Sequence, residues 1–256
     1  MTRVLPLLRA STRRRAIHED LRQRLCEVVG AAEITRIETI QPLWNNYGTL
    51  SRITLTGPGH HSVVVKHIVL PKEVAHPRGF TSPLSHERKI RSYQVEARWY
   101  QEHNLRVPST APTARCLDVF TEGEELLLVL EDLTALGFTT VLSSASINEI
   151  TLVLRWLAAF HAFFLGDEGE GLWPIGTYWH LDTRPEELEN ISGTRLHRFA
   201  SLIDGRLRHA RYRTLVHGDA KLANFCFTGA RDRVAGVDFQ YVGRGCAMKD
   251  VAYFLG

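Results

Sequence analysis

Between Leu215 and Gln240 the chain reads LVHGDAKLANFCFTGARDRVAGVDFQ: one apolar lead-in ends at His217-Gly218-Asp219, and a second apolar run ends at Asp238. Two carboxylates thus sit at strand or loop ends, with Lys221 two positions and Asn224 five positions after Asp219. A carboxylate placed like Asp219 can accept a hydrogen bond from a nucleophilic hydroxyl and take its proton late. Asn224 and Asp238 offer hard oxygen ligands to Mg²⁺, an ion that keeps several waters and bridges phosphate oxygens. Lys221 adds an ammonium that would touch a transferring phosphate. Orienting a hydroxyl and neutralising phosphates with metal and lysine are the main tasks of phosphoryl transfer, whose loose transition state needs little covalent help. Taken singly, Asp219 and Asp238 would be turn caps at strand ends. Together with His217, Lys221 and Asn224 at these offsets they read as a site.

The offsets match both the H-x-D-x-K-x-x-N loop of protein kinases and the HGDxxxxN form of small-molecule kinases. HGDAKLANF followed by VDFQ resembles the signature of the aminoglycoside phosphotransferases, choline kinases and ecdysteroid-kinase-like proteins, which share the protein-kinase fold. The resemblance runs from about Leu43 to Gly256. It implies a two-lobe α+β fold, with an antiparallel sheet plus helix in the N-lobe and a mainly helical C-lobe. It also implies Mg·ATP in the cleft and a hydroxyl of a small molecule as acceptor. Two positions depart from the pattern. Gln240 stands where protein kinases have the Gly of Asp-Phe-Gly, which removes backbone freedom there. Lys221 is more typical of protein kinases than of the antibiotic-modifying branch.

Such a site makes demands upstream. A phosphate-binding lysine inside an apolar strand is supplied by Lys66 in Val63-Val64-Val65-Lys66-His67-Ile68. A cation facing a closed cleft is costly unless paired, so Lys66 needs a carboxylate on the following helix. Glu96 lies three positions after Tyr93 and four before Tyr100, on an aromatic face that should pack inward, and is preferred to Glu87 and Glu102. The turn Trp44-Asn45-Asn46-Tyr47-Gly48 precedes Lys66 where a nucleotide-phosphate loop should lie, and Asn46 and Gly48 are its candidates; a plain hairpin turn is the equal alternative. Leu128 to Leu133 resembles the inter-lobe hinge whose backbone bonds adenine, placing Glu131 and Leu133 at the nucleotide. Glu131 and Asp132 also suit a helix start. Three further features take bland readings: His161 as a packed helix residue, Gly243-Arg244-Gly245 as a turn, and Asp250 as the family-like Asp that braces the catalytic loop from below.

The elements that must position these residues follow from the sequence pattern. An N-terminal helix carries Leu21, Leu25 and Val28; strand-like segments span 36–56 and Ser62 to Ile68; Pro71 to Pro83 reads as a loop into a helix that Ser85 could cap and that runs to about Asn104. A hairpin of Arg115 to Phe120 and Glu125 to Leu130 closes a nucleotide-binding lobe over residues 1–132. Residues 133–256 form the catalytic and acceptor lobe, with a helix from Ile147 to Leu165 and short strands at Phe225 to Phe227 and Val234 to Phe239. Residues 166–190, with Trp173, Tyr178, Trp179 and several acids, are the expected acceptor region, where stacked aromatics with acids would favour a cationic acceptor, although packing explains them as well.

Bulk properties bound the rest. With 256 residues, 44% hydrophobic and 23% charged, the chain can bury a sizeable core. Its 31 Lys and Arg against 28 Asp and Glu give a formal charge of +3, too mild to imply nucleic acid. Arg3, Arg9, Arg13, Arg14 and Arg15 read as part of a surface helix rather than a transit peptide. The longest apolar run, Trp156 to Leu165, is too short to cross a bilayer. Cys26, Cys116, Cys226 and Cys246 are widely spaced, which argues for reduced thiols and a cytoplasmic setting. A protein kinase is the rival supported by Lys221, although only eighteen residues follow Asp238. A nucleotide-binding pseudoenzyme is the rival from another class. The end at Gly256 further suggests an acceptor site open on one side, slow turnover, and a homodimer through the apolar Val251 to Leu255.

Overall fold

The computed structural model describes residues 19–69, 83–178, 180–183 and 185–256. The N-terminal arginines, most of the expected 71–83 loop and Trp179 lie outside the described residues.

Helix α1 (Glu19–Val29) leads into strands β1 (Glu33–Pro42), β2 (Gly48–Thr56) and β3 (Ser62–Val69), and after α2 (Pro83–Arg98) come β4 (Cys116–Glu122) and β5 (Glu125–Glu131). These five strands form one antiparallel sheet in the order β1-β2-β3-β5-β4. Side chains alternate across a strand, so the sheet has two unlike faces. Val63 and Val65 of β3 and Leu127 and Val129 of β5 point to one face, where Leu25 and Val29 of α1 cover them. Lys66, paired in register with Leu50 and Leu128, belongs to the opposite face, against which α2 lies.

Helix α2 begins at Pro83, a residue preorganised for a first helical position, so the helix starts two residues before the expected Ser85. The helix continues as a π-helical turn, Trp99–His103, and a 3₁₀ turn, Asn104–Arg106. The wider π turn coincides with buried Trp99, Tyr100 and His103.

The remainder comprises β6 (Thr140–Val141), α3 (Ile147–Phe163), α4 (Pro185–Asn190), α5 (Arg195–Arg208), β7 (Thr214–Val216), β8 (Phe225–Phe227), β9 (Val234–Gly236), β10 (Gly243–Gly245) and α6 (Met248–Leu255). A capping box between Ser146 and Glu149 starts α3. Its buried face supplies Trp156 and Phe160, which with Phe164 just past its end join Trp99 and Phe239 in one core; the Trp99 and Phe239 rings stack at 4.6 Å. Such pairs add about 0.5–1.5 kcal/mol beyond area burial. Short strands pair as β6-β8-β9 and as β7-β10. Gly243 to Gly245, expected as a turn, is therefore a strand; a Cβ on Gly243 would lie 2.1 Å from the Trp173 carbonyl oxygen, so its glycine serves close backbone packing. Strand β9 stops at Gly236, short of the expected Phe239, because Asp238 takes a left-handed backbone with φ +69°. The result is a kinase-like α+β fold: an N-terminal antiparallel sheet with its helices, and a C-terminal part rich in helices.

Candidate active site

A cleft of about 1150 Å³ opens between the Lys66 face of the sheet and the loops that follow β7 and β9. Lys66, Glu96, Glu131, Leu133, Asp219, Lys221, Asn224 and Asp238 all line it, whereas Asn46 and Gly48 do not. Those two shape the β1–β2 turn instead. Asn46 adopts φ +58°, and a Cβ on Gly48 would fall 1.9 Å from the His67 carbonyl oxygen of β3. From this turn Leu43 and Trp44 reach the cleft wall.

Strand β7 delivers His217, Gly218 and Asp219 to the cleft floor. Gly218 takes φ +80°, which lets the chain pass close to the Tyr241 carbonyl. Beneath it, the buried Asp250 accepts the backbone N–H of His217 at 2.7 Å and that of Gly218 at 2.9 Å. The same carboxylate meets His161 Nε2 at 2.8 Å. Burial alone would raise the Asp250 pKa, but the hydrogen bond and charge of His161 outweigh it and hold it below the usual range. His161 is thus packed and bonded, and Asp250 sits under the loop.

Asp219 Oδ2 accepts Lys221 Nζ at 2.8 Å and Asn224 Nδ2 at 3.0 Å, and Asn224 Nδ2 also reaches the Asp219 carbonyl at 2.8 Å. With Nδ2 committed as donor, Asn224 keeps Oδ1 as an acceptor. The lysine side chain is half exposed; desolvation opposes its charge, but Asp219 raises its pKa.

Lys66 Nζ donates to Glu96 Oε1 at 2.9 Å and Oε2 at 2.7 Å, and to Asp238 Oδ1 at 2.9 Å. Glu87, by contrast, is exposed, and Glu102 pairs with Arg98. Desolvation works against the Lys66 ammonium, but the charges of Asp238 and Glu96 prevail and keep it protonated. Burial tends to raise Asp238 as well, and Lys66 overrides that, holding the carboxylate ionised.

Hard oxygens of Asn224 and Asp238 fit Mg²⁺, which needs few protein ligands when phosphates complete its shell. Among the described residues no group of three or more His, Cys, Asp or Glu could hold a metal. The two oxygen donors of Asn224 and Asp238 suit a site shared with a phosphate donor.

Glu131 and Leu133 stand where β5 leaves the sheet. Asp132 caps the 3₁₀ turn Leu133–Leu136, accepting Thr134 N–H at 3.0 Å, and also binds Arg52 Nε at 2.8 Å and Ser62 Oγ at 2.9 Å. Its bonds fix the segment that follows β5. From the expected acceptor region, Tyr178, Thr183 and Glu187 line the cleft, while Trp173 donates Nε1 to the Gln240 carbonyl at 2.7 Å.

Sequence reasoning missed two residues. Gln240 Nε2 donates to Asp238 Oδ1 at 2.8 Å, and its Oε1 accepts Lys89 Nζ at 2.6 Å and Ser92 Oγ at 3.2 Å. Lys89 lies seven positions before Glu96, a two-turn spacing on the same helix face, which was the available signal.

A sheet lobe and a helical part enclosing a lysine–glutamate pair and two loop carboxylates define a kinase-like protein. The model of the phosphotransferase enzyme family, APH, matches residues 49–256, and the chain belongs to that family. Among solved structures, a 2.2 Å crystal structure of WbdD matches with a TM-score of 0.39 and 13% identity, covering 82% of this chain. This chain spans 33% of that one. No curated protein matches.

Proposed function

We propose that this protein is an ATP-dependent small-molecule kinase that transfers the γ-phosphate of Mg·ATP to a hydroxyl. The observation that carries this reading is the convergence in one cleft of Lys66 bonded to Glu96 and Asp238 with Asp219 bonded to Lys221 and Asn224. When bound, Mg·ATP would supply the phosphoryl group, the bond to its β-phosphate oxygen breaking to release ADP, and a metal to neutralise the phosphates. Asp238 and Asn224 would hold that metal, and Lys66, positioned by Glu96, would steady the inner phosphates. Asp219 orients the acceptor hydroxyl and receives its proton as the new bond forms. Lys221, already against Asp219, offsets charge on the transferring group. Glu131 and Leu133 present hinge backbone to the base. Tyr178, Glu187 and the rings beside them receive the acceptor.

The four cysteines are unpaired thiols, which supports a reducing, cytoplasmic setting, and among the described residues no helix is long and apolar enough to cross a membrane. Exposed Met248, Tyr253 and Leu255 on α6 favour self-association through this helix. Sedimentation of the wild type and a Leu255→Glu variant tests that; a wild-type monomer would refute it.

Thermal melting with ATP tests the nucleotide reading. At about 100 times the dissociation constant, ligand should add ~2.7 kcal/mol of stability. That shift should require Mg²⁺ and vanish in Asp238→Ala; equal shifts with and without metal would count against the site.

A further inference from the structure

Lys89 is half-buried in the cleft wall, and its surroundings do not neutralise it. Its Nζ donates to Gln240 Oε1 at 2.6 Å and stands 4.7 Å over the Tyr93 ring, both neutral partners. Among the described residues no carboxylate lies within ion-pair distance of it. Burial, reinforced by the nearby Lys66 charge, lowers its pKa to about 8, although Asp238, Glu96 and Asp219 pull the other way. An ammonium held this way is costly in the ligand-free cleft. Titratable groups strained by desolvation in a cleft point to a ligand that supplies the missing charge.

We propose that Lys89 is a second phosphate-binding lysine of this cleft, whose ammonium takes a γ-phosphate oxygen of bound Mg·ATP. The inference rests on the ATP reading above and adds a contact to it. Position selects the γ-phosphate over the others. Gln240 links Lys89 directly to Asp238 Oδ1, the carboxylate that would hold the metal. Lys89 and Asp219, the proposed base, line the same cleft. Lys66, held by Glu96 and Asp238, is assigned to the inner phosphates and leaves the outer one to another cation. Gln240 holds Lys89 in place in the interim and explains why glutamine, not glycine, follows Asp238-Phe239: its amide bonds both charged neighbours at once.

The test is calorimetric titration of Mg²⁺ with a non-hydrolysable ATP analogue and with ADP, on wild type, Lys89→Met and Lys89→Arg. Expected is about tenfold weaker binding of the ATP analogue to Lys89→Met, equivalent to about 1.4 kcal/mol. ADP affinity should stay within about twofold, which also reports that the variant is folded, and Lys89→Arg should keep the preference for the triphosphate. Unchanged affinity for the ATP analogue would overturn the proposal. So would equal losses for both nucleotides, which would make Lys89 a packing residue. A wild type that binds neither nucleotide would instead bring down the ATP reading on which this one stands.

Discussion

Lys66 Nζ lies 2.9 Å from Asp238 Oδ1 and 2.7 Å from Glu96 Oε2, so one ammonium joins strand β3, helix α2 and the segment after β9. Lys66 and Glu96 are almost wholly buried, at 7% and 1% side-chain exposure, so neither charge has water to fall back on. Removing one partner of a buried pair costs about 3–5 kcal/mol. Lys66→Met should lose on that order in urea denaturation, because it strands two carboxylates. Glu96→Gln should lose less, since Lys66 keeps Asp238. The reverse order would refute the shared-cation arrangement.

The Asp250 brace predicts a second outcome. Asp250→Asn keeps the shape but exchanges one acceptor oxygen for a donor, which cannot serve the N–H groups of both His217 and Gly218. Leaving a buried donor unsatisfied costs about 1–3 kcal/mol. Amide exchange should therefore accelerate at His217 and Gly218 specifically; uniform protection across β7 and its loop would contradict the brace.

Lys89 makes stability depend on pH in metal- and nucleotide-free protein. Its folded pKa of about 8 lies below that of an ordinary lysine, so the unfolded chain binds more protons between the two values and stability rises with pH across that window. The groups facing it are Lys66, which lowers its pKa, and Asp238, Glu96 and Asp219, which raise it. Full benefit is reached above about pH 10 and is lost as pH falls through about 8. Lys89→Met should flatten this limb and be more stable at pH 7, by on the order of 1–2 kcal/mol. A variant less stable than wild type at pH 7 would contradict the unneutralised cation.

Gly48→Ala tests the turn before β3. Its φ of +141° and the 1.9 Å approach to the His67 carbonyl leave no room for a methyl group. A loss of about 2 kcal/mol or more is expected in denaturant unfolding. A loss near that of an ordinary surface substitution, within about 0.5 kcal/mol, would show that the turn opens freely.

Much of this site was legible because its signals are local or periodic. The offsets from His217 to Asn224 are set within one loop, and the helical period placed Glu96 on the face with Tyr93 and Tyr100, where Lys66 meets it. What stayed hidden depends on contacts between distant segments. Gln240 read as a departure from glycine, but its meaning lies in Lys89, 151 positions earlier. Gly243 looked like a turn because only its pairing with Val216 and its contact with Trp173 reveal a strand. Asn46 and Gly48 matched the position of a phosphate loop, while the close approach of β3 that fixes their backbone is not written locally.

The central claim, hydroxyl phosphorylation by Mg·ATP with Asp219 as base, is tested most directly by ³¹P NMR of the purified protein. It would be incubated with Mg·ATP and a panel of amino alcohols, aminosugars, sugars and lipid-like alcohols. A phosphate-ester signal should grow with one acceptor class as γ-phosphate disappears, and Asp219→Ala should slow it by about 10²–10⁴-fold while still binding nucleotide. Ester formation at the wild-type rate in Asp219→Ala, or no ester with any acceptor from a protein that binds Mg·ATP, would contradict it.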